Sequence, residues 1–289
     1  MAITEGAREK LMLTQEQIDQ YWEKGYCVVP DVLTEEEIER YKIRAGEIAR
    51  GDYPPEAKSR IMKDVRIAKG IIPAPADPEK GLWKITNPDR FDETFSNYLD
   101  TPKLLDAAEG ILGEDLLAFL LMFIYKPPNV NAVHAFHQDG FYFPFGPHDQ
   151  VMGTWLPLDF AHGENGTLRV IPGSHRLDIQ THTPPPKTEN AFTHGVQEFE
   201  NHPDEEVLEV QPGHAVLFHS HLLHKTGGNS TDGHRRVLTV HMCSSTCKLV
   251  DSDRRIPEFG FRLVRGKNYP GCVLAPDEIS VEYGHRKKK

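Results

Sequence analysis

The feature that most constrains the fold is a change of pattern near residue 115. Beyond it, apolar residues occur in short runs or alternate with polar ones, and glycine, proline and asparagine separate the runs. Many short strands with turn signals between them are typical of an all-β sandwich or barrel. The predicted strands are 116–125, 133–139, 151–158, 167–171, 207–210, 215–219 and 235–243. We therefore expect a β-rich core at about 115–250.

The residues before this core have helical spacing instead. Thr14 is followed three positions later by Gln17, and Thr34 by Glu37, the spacing of a capping box that opens a helix. The other elements predicted in this part are strands at 26–29 and 61–67 and helices at 90–99 and 101–112. A chain of 289 residues can form one β-rich domain with an extension. We predict one domain over 1–289, with a helical N-terminal part at about 14–112.

Charge and cysteine usage limit the partners and the compartment. The 43 acidic residues outnumber the 33 basic ones, which gives a net charge of -10 and argues against a nucleic-acid partner. The longest apolar run, 116–124, is too short to span a membrane, and no basic and apolar leader opens the sequence. None of the four cysteines forms a Cys-x-x-Cys pair, and the C-terminus is not a Ser-Lys-Leu address. We expect a cytoplasmic protein whose partner is a small molecule.

A histidine and a carboxylate at positions i and i+2 are the first chemical signal. His137 and Asp139 stand in the segment 136–140, and on a strand both would point from the same face. One more histidine would complete a two-histidine, one-carboxylate triad, which leaves positions open on a non-haem Fe(II). His134 lies an odd number of positions before His137, so we expect it to face the other way and not to be a ligand.

The third ligand is expected from a distant strand or its end. His219, His221 and His224 are all candidates, and periodicity does not choose among them because the strand at 215–219 can end before residue 221. A zinc site using His221 and His224 is an alternative, although no cysteine or glutamate stands at a familiar zinc spacing. Arg235 opens the next apolar strand, and a buried arginine there is suited to a two-pronged contact with a dicarboxylate.

Together these residues resemble the phytanoyl-CoA dioxygenase family of Fe(II)- and 2-oxoglutarate-dependent oxygenases. The resemblance covers about 60–250, and its marks are the segments 122–128 (MFIYKPP), 136–145 (FHQDGFYFPF), 164–166 (ENG), 171–175 (IPGSH) and 224–235, together with Trp155. It implies a double-stranded β-helix, also called a jelly roll, of two packed antiparallel sheets with helices outside. The family has Gly-Asp where this chain has Gly213-His214, a departure that affects a turn and no ligand.

The resemblance also assigns roles to individual residues. It selects His224 over His219 and His221, so that His137, Asp139 and His224 bind the iron. It implies that Arg235 pairs with the distal carboxylate of 2-oxoglutarate, with Thr226 beside it. Three further residues are implied to line the same pocket: Lys84, Met122 and Trp155. Fe(II), 2-oxoglutarate and O2 are the implied cofactor and cosubstrates, and succinate and CO2 the implied products.

The resulting functional hypothesis is hydroxylation of a small organic substrate, with an acyl-CoA or a carboxylic acid as candidates. Related halogenases have a small residue where this chain has Asp139, so hydroxylation is favoured over halogenation. One alternative is the same cofactor chemistry on a specialised metabolite, ending in hydroxylation, desaturation or ring formation. Another is a non-catalytic metal-binding jelly roll. The long segment 176–206 is either a lid over the site or an uninvolved excursion.

Overall fold

The structure is a computed structural model that describes residues 13–130, 133–184, 194–250, 260–274, 281–282 and 285–286. Its α-helices are α1 (Gln15–Lys24), α2 (Glu35–Ala49), α3 (Val65–Ala68), α4 (Glu93–Tyr98) and α5 (Pro102–Leu112). Its strands are β1 (Tyr26–Val29), β2 (Ile61–Lys63), β3 (Leu82–Thr86), β4 (Leu116–Lys126), β5 (His134–His137), β6 (Phe145–Gly146), β7 (Val151–Pro157), β8 (Leu168–Val170), β9 (Glu206–Val207), β10 (Ala215–His219), β11 (His224–Thr226), β12 (Arg235–Ser244), β13 (Lys248–Leu249), β14 (Arg262–Arg265), β15 (Val281–Glu282) and β16 (His285–Arg286).

The strands form a larger and a smaller antiparallel sheet. The major sheet has the order β1-β10-β7-β12-β4-β3-β2, and β14 pairs with β4 as an additional strand. The minor sheet has the order β5-β11-β8-β9. Two further pairs, β13 with β6 and β15 with β16, complete the described strands. This architecture confirms the predicted double-stranded β-helix with helices outside.

The helices cover the outer face of the major sheet because their apolar residues lie on one side. Both predicted capping boxes are present, with Thr14 and Thr34 accepting from the backbone of the residue three positions on. Tyr41 of α2, Phe95 of α4 and Leu104 of α5 pack with alternate residues of the major sheet in the largest apolar cluster. The opposite face of the major sheet therefore faces the interior of the jelly roll.

A β-bulge at Leu120 decides which residues of β4 face that interior. Leu120 has a left-handed φ of 53°, and the register with β12 shifts there, so Val240 pairs with Leu121 and His241 with Phe119. Leu117 and Phe119 lie in one cluster, whereas Leu121 and the following odd-numbered residues pack against the helices. The extra residue thus reverses the side-chain alternation part-way along the strand.

Several element predictions need correction. The predicted strand at 61–67 is wrong beyond Lys63, because the side chain of Asp64 accepts from the backbone N–H of Arg66 and starts the short helix α3. Seven observed strands were not predicted: β3, β6, β11, β13, β14, β15 and β16. The strand at 215–219 is confirmed at both ends, and His224 begins a separate strand.

Two further features concern cysteines and membrane segments. All four cysteines are buried free thiols, at positions 27, 243, 247 and 272. Among the described residues, no helix has the length and apolar character needed to cross a bilayer.

Candidate active site

Three side chains, two from neighbouring strands and one from the turn after the first strand, converge inside the jelly roll. β5 ends at His137, Asp139 opens a 3-10 helix directly after it, and His224 begins β11 opposite His137. One potential ligand atom from each residue lies within 4.8 Å of the other two. The Asp139 Oδ1 atom is 3.5 Å from His137 Nε2 and 3.8 Å from His224 Nε2. Within the described ranges, no other group of histidine, cysteine and acidic side chains has this spacing.

Backbone carbonyls fix the orientation of both imidazoles. His137 Nδ1 lies 2.9 Å from the carbonyl oxygen of Ala135, and His224 Nδ1 lies 2.9 Å from that of Leu222. Since a carbonyl can only accept, each Nδ1 carries the proton and each Nε2 presents its lone pair to the centre. The second shell therefore places both rings in the tautomer that binds a metal through Nε2.

The charge states also suit a cation. Burial, followed by the neighbouring His137, lowers the pKa of His224 to about 4. Burial alone would raise the pKa of Asp139, but His241, which donates a hydrogen bond to it, and the neighbouring His224 hold it well below its ordinary value. At neutral pH the site offers a neutral His224 imidazole and an ionised Asp139, and bound divalent metals require this protonation state.

The geometry corrects two steps of the sequence argument. Asp139 does not lie on the strand with His137, so the 3-10 turn, and not a shared strand face, brings the carboxylate to the histidine. The expectation that His134 faces away was wrong. The β5–β11 register is irregular between the His224 and Thr226 positions, and the His134 ring stacks on the His137 ring at 4.5 Å between centroids.

The other histidines of the 219–224 segment lie elsewhere. His221 sits against His148, with ring centroids 4.6 Å apart, and His219 lies against His175 at 5.3 Å. Neither belongs to the group that could hold a metal. The zinc alternative with His221 as a ligand therefore has no geometric support in the described residues.

His241 is a functional candidate that the sequence argument missed. Its Nε2 atom lies 2.8 Å from Asp139 Oδ2, the carboxylate oxygen that does not face the two histidines. Because a carboxylate accepts, His241 donates and fixes the orientation of Asp139. The signal was present in the sequence: counting in twos from Arg235 along the strand puts residue 241 on the same face.

Arg235 is the most deeply buried charged residue near the centre. Its side chain is 1% exposed, and within the described residues none of its three guanidinium nitrogens has a hydrogen-bond partner. It lies 5.7 Å from the centroid of the Trp155 ring. Burial lowers the pKa of Arg235 to about 9, so the group is still a cation at neutral pH. Such a group fits a carboxylate that would accept from the whole guanidinium fork.

The remaining predicted pocket residues share the interior face of the major sheet. Met122 of β4 and Trp155 of β7 both lie opposite Thr239 of β12. On β12, Thr239 is two positions from Val237 and four from Arg235, so all three point to the same side. Lys84 of β3 is opposite Ile124, which in turn is opposite Val237. Directly paired residues point to one side of a sheet, so four adjacent strands contribute to one surface. Burial lowers the pKa of Lys84.

Thr226 lies at the edge of this surface, in the minor sheet. It lines a narrow cavity of 40 Å³ together with His134 and Lys126. Lys126 is a second missed residue: it is 7% exposed, pairs with Arg235 across the strands and donates to the carbonyl oxygen of Gly227. Burial, with Arg235 adding to it, lowers the pKa of Lys126 well below its ordinary value. Two buried basic side chains, Arg235 and Lys126, therefore stand at paired positions in this part of the pocket.

The long segment 176–206 is described on both sides of 185–193, which lie outside the described residues. Val196 packs with Phe136 and Leu223 on the outer face of the minor sheet. Lys225 forms ion pairs with Glu200 at 3.0 Å and Glu205 at 2.9 Å. The later part of the segment thus lies on the outer face of the minor sheet, and the idea of a lid stays a prediction for the earlier part.

Comparison with known proteins agrees with this geometry. The sequence model of the phytanoyl-CoA dioxygenase family, PhyH, matches residues 21–237. The chain belongs to the phytanoyl-CoA dioxygenase family. The resemblance noted in the sequence is thereby confirmed, and the protein is an oxygenase, so the non-catalytic alternative falls away.

Relatives of this family match over most of their length. The peroxisomal phytanoyl-CoA dioxygenase of Homo sapiens is 32% identical over 83% of this chain and 71% of that protein. A probable phytanoyl-CoA dioxygenase of Caenorhabditis elegans is 30% identical over 86% of this chain and 81% of that protein.

Solved structures show the same fold at lower identity. EctD from S. alaskensis, determined with 2-oxoglutarate and 5-hydroxyectoine, has a TM-score of 0.68 and 18% identity over 91% of this chain and 87% of that one. The non-heme alpha ketoglutarate dependent epimerase SnoN from nogalamycin biosynthesis has a TM-score of 0.61 and 20% identity, over 83% of this chain and 84% of that one.

Proposed function

We propose that this oxygenase is an Fe(II)- and 2-oxoglutarate-dependent hydroxylase in which His137, Asp139 and His224 bind the iron. The observation that carries the cosubstrate is Arg235, a fully buried cation whose guanidinium has no hydrogen-bond partner among the described residues. An unpaired buried charge is costly, so its presence indicates a ligand that neutralises it. The distal carboxylate of 2-oxoglutarate, the one that does not bind the metal, would neutralise this charge.

The donor set fits iron. Two neutral imidazoles and one carboxylate on a single face are typical of non-haem Fe(II) oxygenases and leave positions open for a chelating keto acid. When bound, the iron with 2-oxoglutarate and O2 would supply the oxidation of a substrate C–H bond, with release of succinate and CO2. Asp139 occupies the position that a halide would need, which favours hydroxylation over halogenation.

The chain's own residues orient and shield these groups. His241 holds the second oxygen of Asp139, so the carboxylate keeps one orientation while its other oxygen faces the metal position. Arg235 and Thr226 bind the distal carboxylate in the proposal, and Lys84, Met122 and Trp155 form the wall around it. Arg235 and Trp155 are buried and the other three residues are half-buried, so the pocket excludes most water. In a dry pocket, the charge contacts to the cosubstrate are stronger than in solvent.

An acyl-CoA thioester is the substrate class that we propose first. The names of the curated relatives specify phytanoyl-CoA for those proteins. In this chain, residues 58–69 carry five basic residues and one acidic residue within a sequence of net charge -10. This segment includes β2, where Lys63 pairs with Leu82 of β3 next to the cavity at Trp83. Exposed Lys58 and Lys63 place positive charge where the phosphates of CoA would be attracted. Free carboxylic acids are the simpler variant of the same class.

A specialised metabolite is the second candidate, with desaturation or ring formation as further outcomes. The similarity to enzymes of nogalamycin biosynthesis supports it, but only at the level of the fold. We also propose a cytoplasmic location, which four free and buried thiols support. Cell fractionation tests the location directly, and recovery with peroxisomes, as the name of the human relative states for that protein, would contradict it.

The cosubstrate is tested by anaerobic absorption spectroscopy. Fe(II) and then 2-oxoglutarate are added to metal-free protein, with His224→Ala and Arg235→Met as variants. We expect a weak visible charge-transfer band that requires both additions, is lost in His224→Ala and needs far more 2-oxoglutarate in Arg235→Met. A band of normal intensity in His224→Ala would overturn the ligand assignment. Product analysis with CoA thioesters and the matching free acids then separates the substrate candidates.

A further inference from the structure

The residue between two of the metal ligands is a buried glutamine with an unusual set of contacts. Gln138 is 0% exposed, although glutamine is among the residues that are mostly exposed in folded proteins. A polar side chain of this size is tolerated in a core only when its hydrogen bonds are satisfied. The partners of Gln138 therefore show what the residue does.

Its side-chain amide joins its own segment to two others. Gln138 Nε2 donates to the carbonyl oxygen of His221 at 2.9 Å and to that of Asp178 at 3.3 Å. Gln138 Oε1 accepts from the backbone N–H of Gln180 at 2.7 Å. Both amide hydrogens and the oxygen are used. The contact to His221 reaches the loop between β10 and β11, directly before the ligand His224. The Gln138 side chain therefore connects the two parts of the chain that carry the three ligands.

The backbone of Gln138 adds a fourth contact. Its N–H donates to His182 Nε2 at 3.0 Å, and His182 Nδ1 in turn lies 2.9 Å from the carbonyl oxygen of Gln180, to which it donates. The His182 ring stacks on Phe141 at 4.0 Å with 8° between the planes. Phe141 belongs to the 3-10 helix that Asp139 opens. The segment 178–182 is thus joined to the metal motif by hydrogen bonds and by ring stacking.

The packing around Gly140 supports the same relationship. A Cβ atom at this position would lie 2.9 Å from the His221 ring and 3.1 Å from the Ile179 side chain. The two neighbouring segments therefore approach the backbone directly after Asp139 more closely than a larger residue would allow. The ligand segment 137–139, the residues around His221 and the segment 178–182 therefore form one packed unit.

We propose that Gln138 is a positioning residue. Through it, the geometry of the metal centre depends on whether residues 178–182 are packed against residues 138–141. The inference rests on the proposed metal site and adds a coupling to it. Because coupling between two sites is reciprocal, metal binding should stabilise the packed position of residues 178–182. Loss of that packing should in turn weaken metal binding. Substrate contacts that act on this segment would then be transmitted to the ligands through one amide.

The experiment compares metal affinity and segment protection in four proteins, without 2-oxoglutarate or substrate. Gln138→Met keeps the size of the side chain and removes its hydrogen bonds. His182→Phe keeps the stacking on Phe141 and removes the acceptor for the Gln138 N–H. Gln211→Glu is the control, since Gln211 is exposed and lines a different cavity, together with residues of α2. Wild-type protein completes the set.

Co(II) is the probe, followed by its visible absorption and by hydrogen exchange of peptides covering 178–183. We expect wild-type protein and Gln211→Glu to bind Co(II) with the same affinity and to gain protection in this segment on binding. Loss of an outer-shell contact weakens metal binding by about 10- to 100-fold, which we expect for Gln138→Met and His182→Phe, together with loss of the added protection. Circular dichroism before metal addition checks that both variants are folded.

Two results would overturn the inference in distinguishable ways. Co(II) binding and protection in Gln138→Met and His182→Phe equal to those of wild-type protein would refute the coupling and leave the metal centre intact. Wild-type protein that takes up no Co(II) would refute the metal centre, and the coupling with it. His182→Phe lies outside the metal motif, so a folding defect in Gln138→Met alone does not remove the test.

Discussion

Replacement of Arg235 by methionine should change stability and cosubstrate affinity in opposite directions. In the ligand-free protein the guanidinium is a buried cation whose nitrogens have no hydrogen-bond partner in the described parts of the chain. Such a charge opposes folding. The same charge becomes favourable when a carboxylate binds, because the pair then satisfies both groups.

The magnitude follows from the pKa of Arg235, which burial lowers to about 9. A basic group with a lower pKa in the folded state destabilises that state at every pH below this value, so the cost is fully present at pH 7. At about 1.4 kcal/mol per pKa unit, it is at most roughly 5 kcal/mol. Lost packing over Trp155 offsets part of this, and we expect Arg235→Met to raise the free energy of unfolding by about 1–3 kcal/mol.

Cosubstrate binding should fall sharply in the same variant. Removing one member of a buried charge pair costs about 3–5 kcal/mol, which is roughly two to nearly four orders of magnitude in affinity. Urea unfolding of Mn(II)-loaded protein, with and without 2-oxoglutarate, measures both effects. At a ligand concentration 100 times its Kd, wild-type protein should gain about 2.7 kcal/mol and Arg235→Met almost nothing.

Arg235→Lys is the matched control, since it keeps a buried charge without the two-pronged geometry. We expect weaker cosubstrate binding in this variant but no gain in stability. An Arg235→Met protein that 2-oxoglutarate stabilises as much as wild-type protein would refute the binding role. A ligand-free Arg235→Met protein less stable than wild-type protein by more than about 1 kcal/mol would refute the argument from burial.

Three further predictions follow from single contacts. Gly153→Ala should lower the free energy of unfolding by about 1–3 kcal/mol, because a Cβ there would lie 2.2 Å from the Phe218 ring, and an unchanged urea midpoint would contradict it. Burial lowers the pKa of His219 to about 3, so the free energy of unfolding should fall as the pH drops from about 6.5 towards 3. His219→Phe should reduce the slope of the unfolding free energy against pH by up to one proton. A slope identical to that of wild-type protein would count against the lowered pKa of His219. His241→Phe should weaken Co(II) binding by about 10- to 100-fold, since Asp139 Oδ2 loses its donor, and wild-type affinity would show that the contact has no role in metal binding.

The alternation of apolar residues was enough to predict the jelly roll but not its exact faces. All nine predicted strands overlap observed ones, and β1 and β10 match at both ends. Strict alternation along β4 would place Leu121 and Phe123 on the face of Phe119. The bulge at Leu120 reverses that assignment, and it has no turn residue such as glycine to announce it.

The candidate site shows the same division. Residue type and the family resemblance identified His137, Asp139, His224 and Arg235, and the structure places the first three within reach of one metal ion. His134 was misplaced because a register irregularity, which depends on the partner strand, brings it beside His137. Contacts such as those of Gln138 depend on residues 40 or more positions away, so local patterns contain no trace of them.

The burial of all four cysteines makes the native surface suitable for selective labelling. Burial raises the pKa of Cys27 to about 12 and that of Cys243 well above its ordinary value, so these thiols react slowly with alkylating reagents at neutral pH. A cysteine introduced at exposed position 181 would therefore be the reactive thiol of the folded protein. A single dye or spin label at that point could follow the segment beside the metal motif in real time, without first removing any natural cysteine.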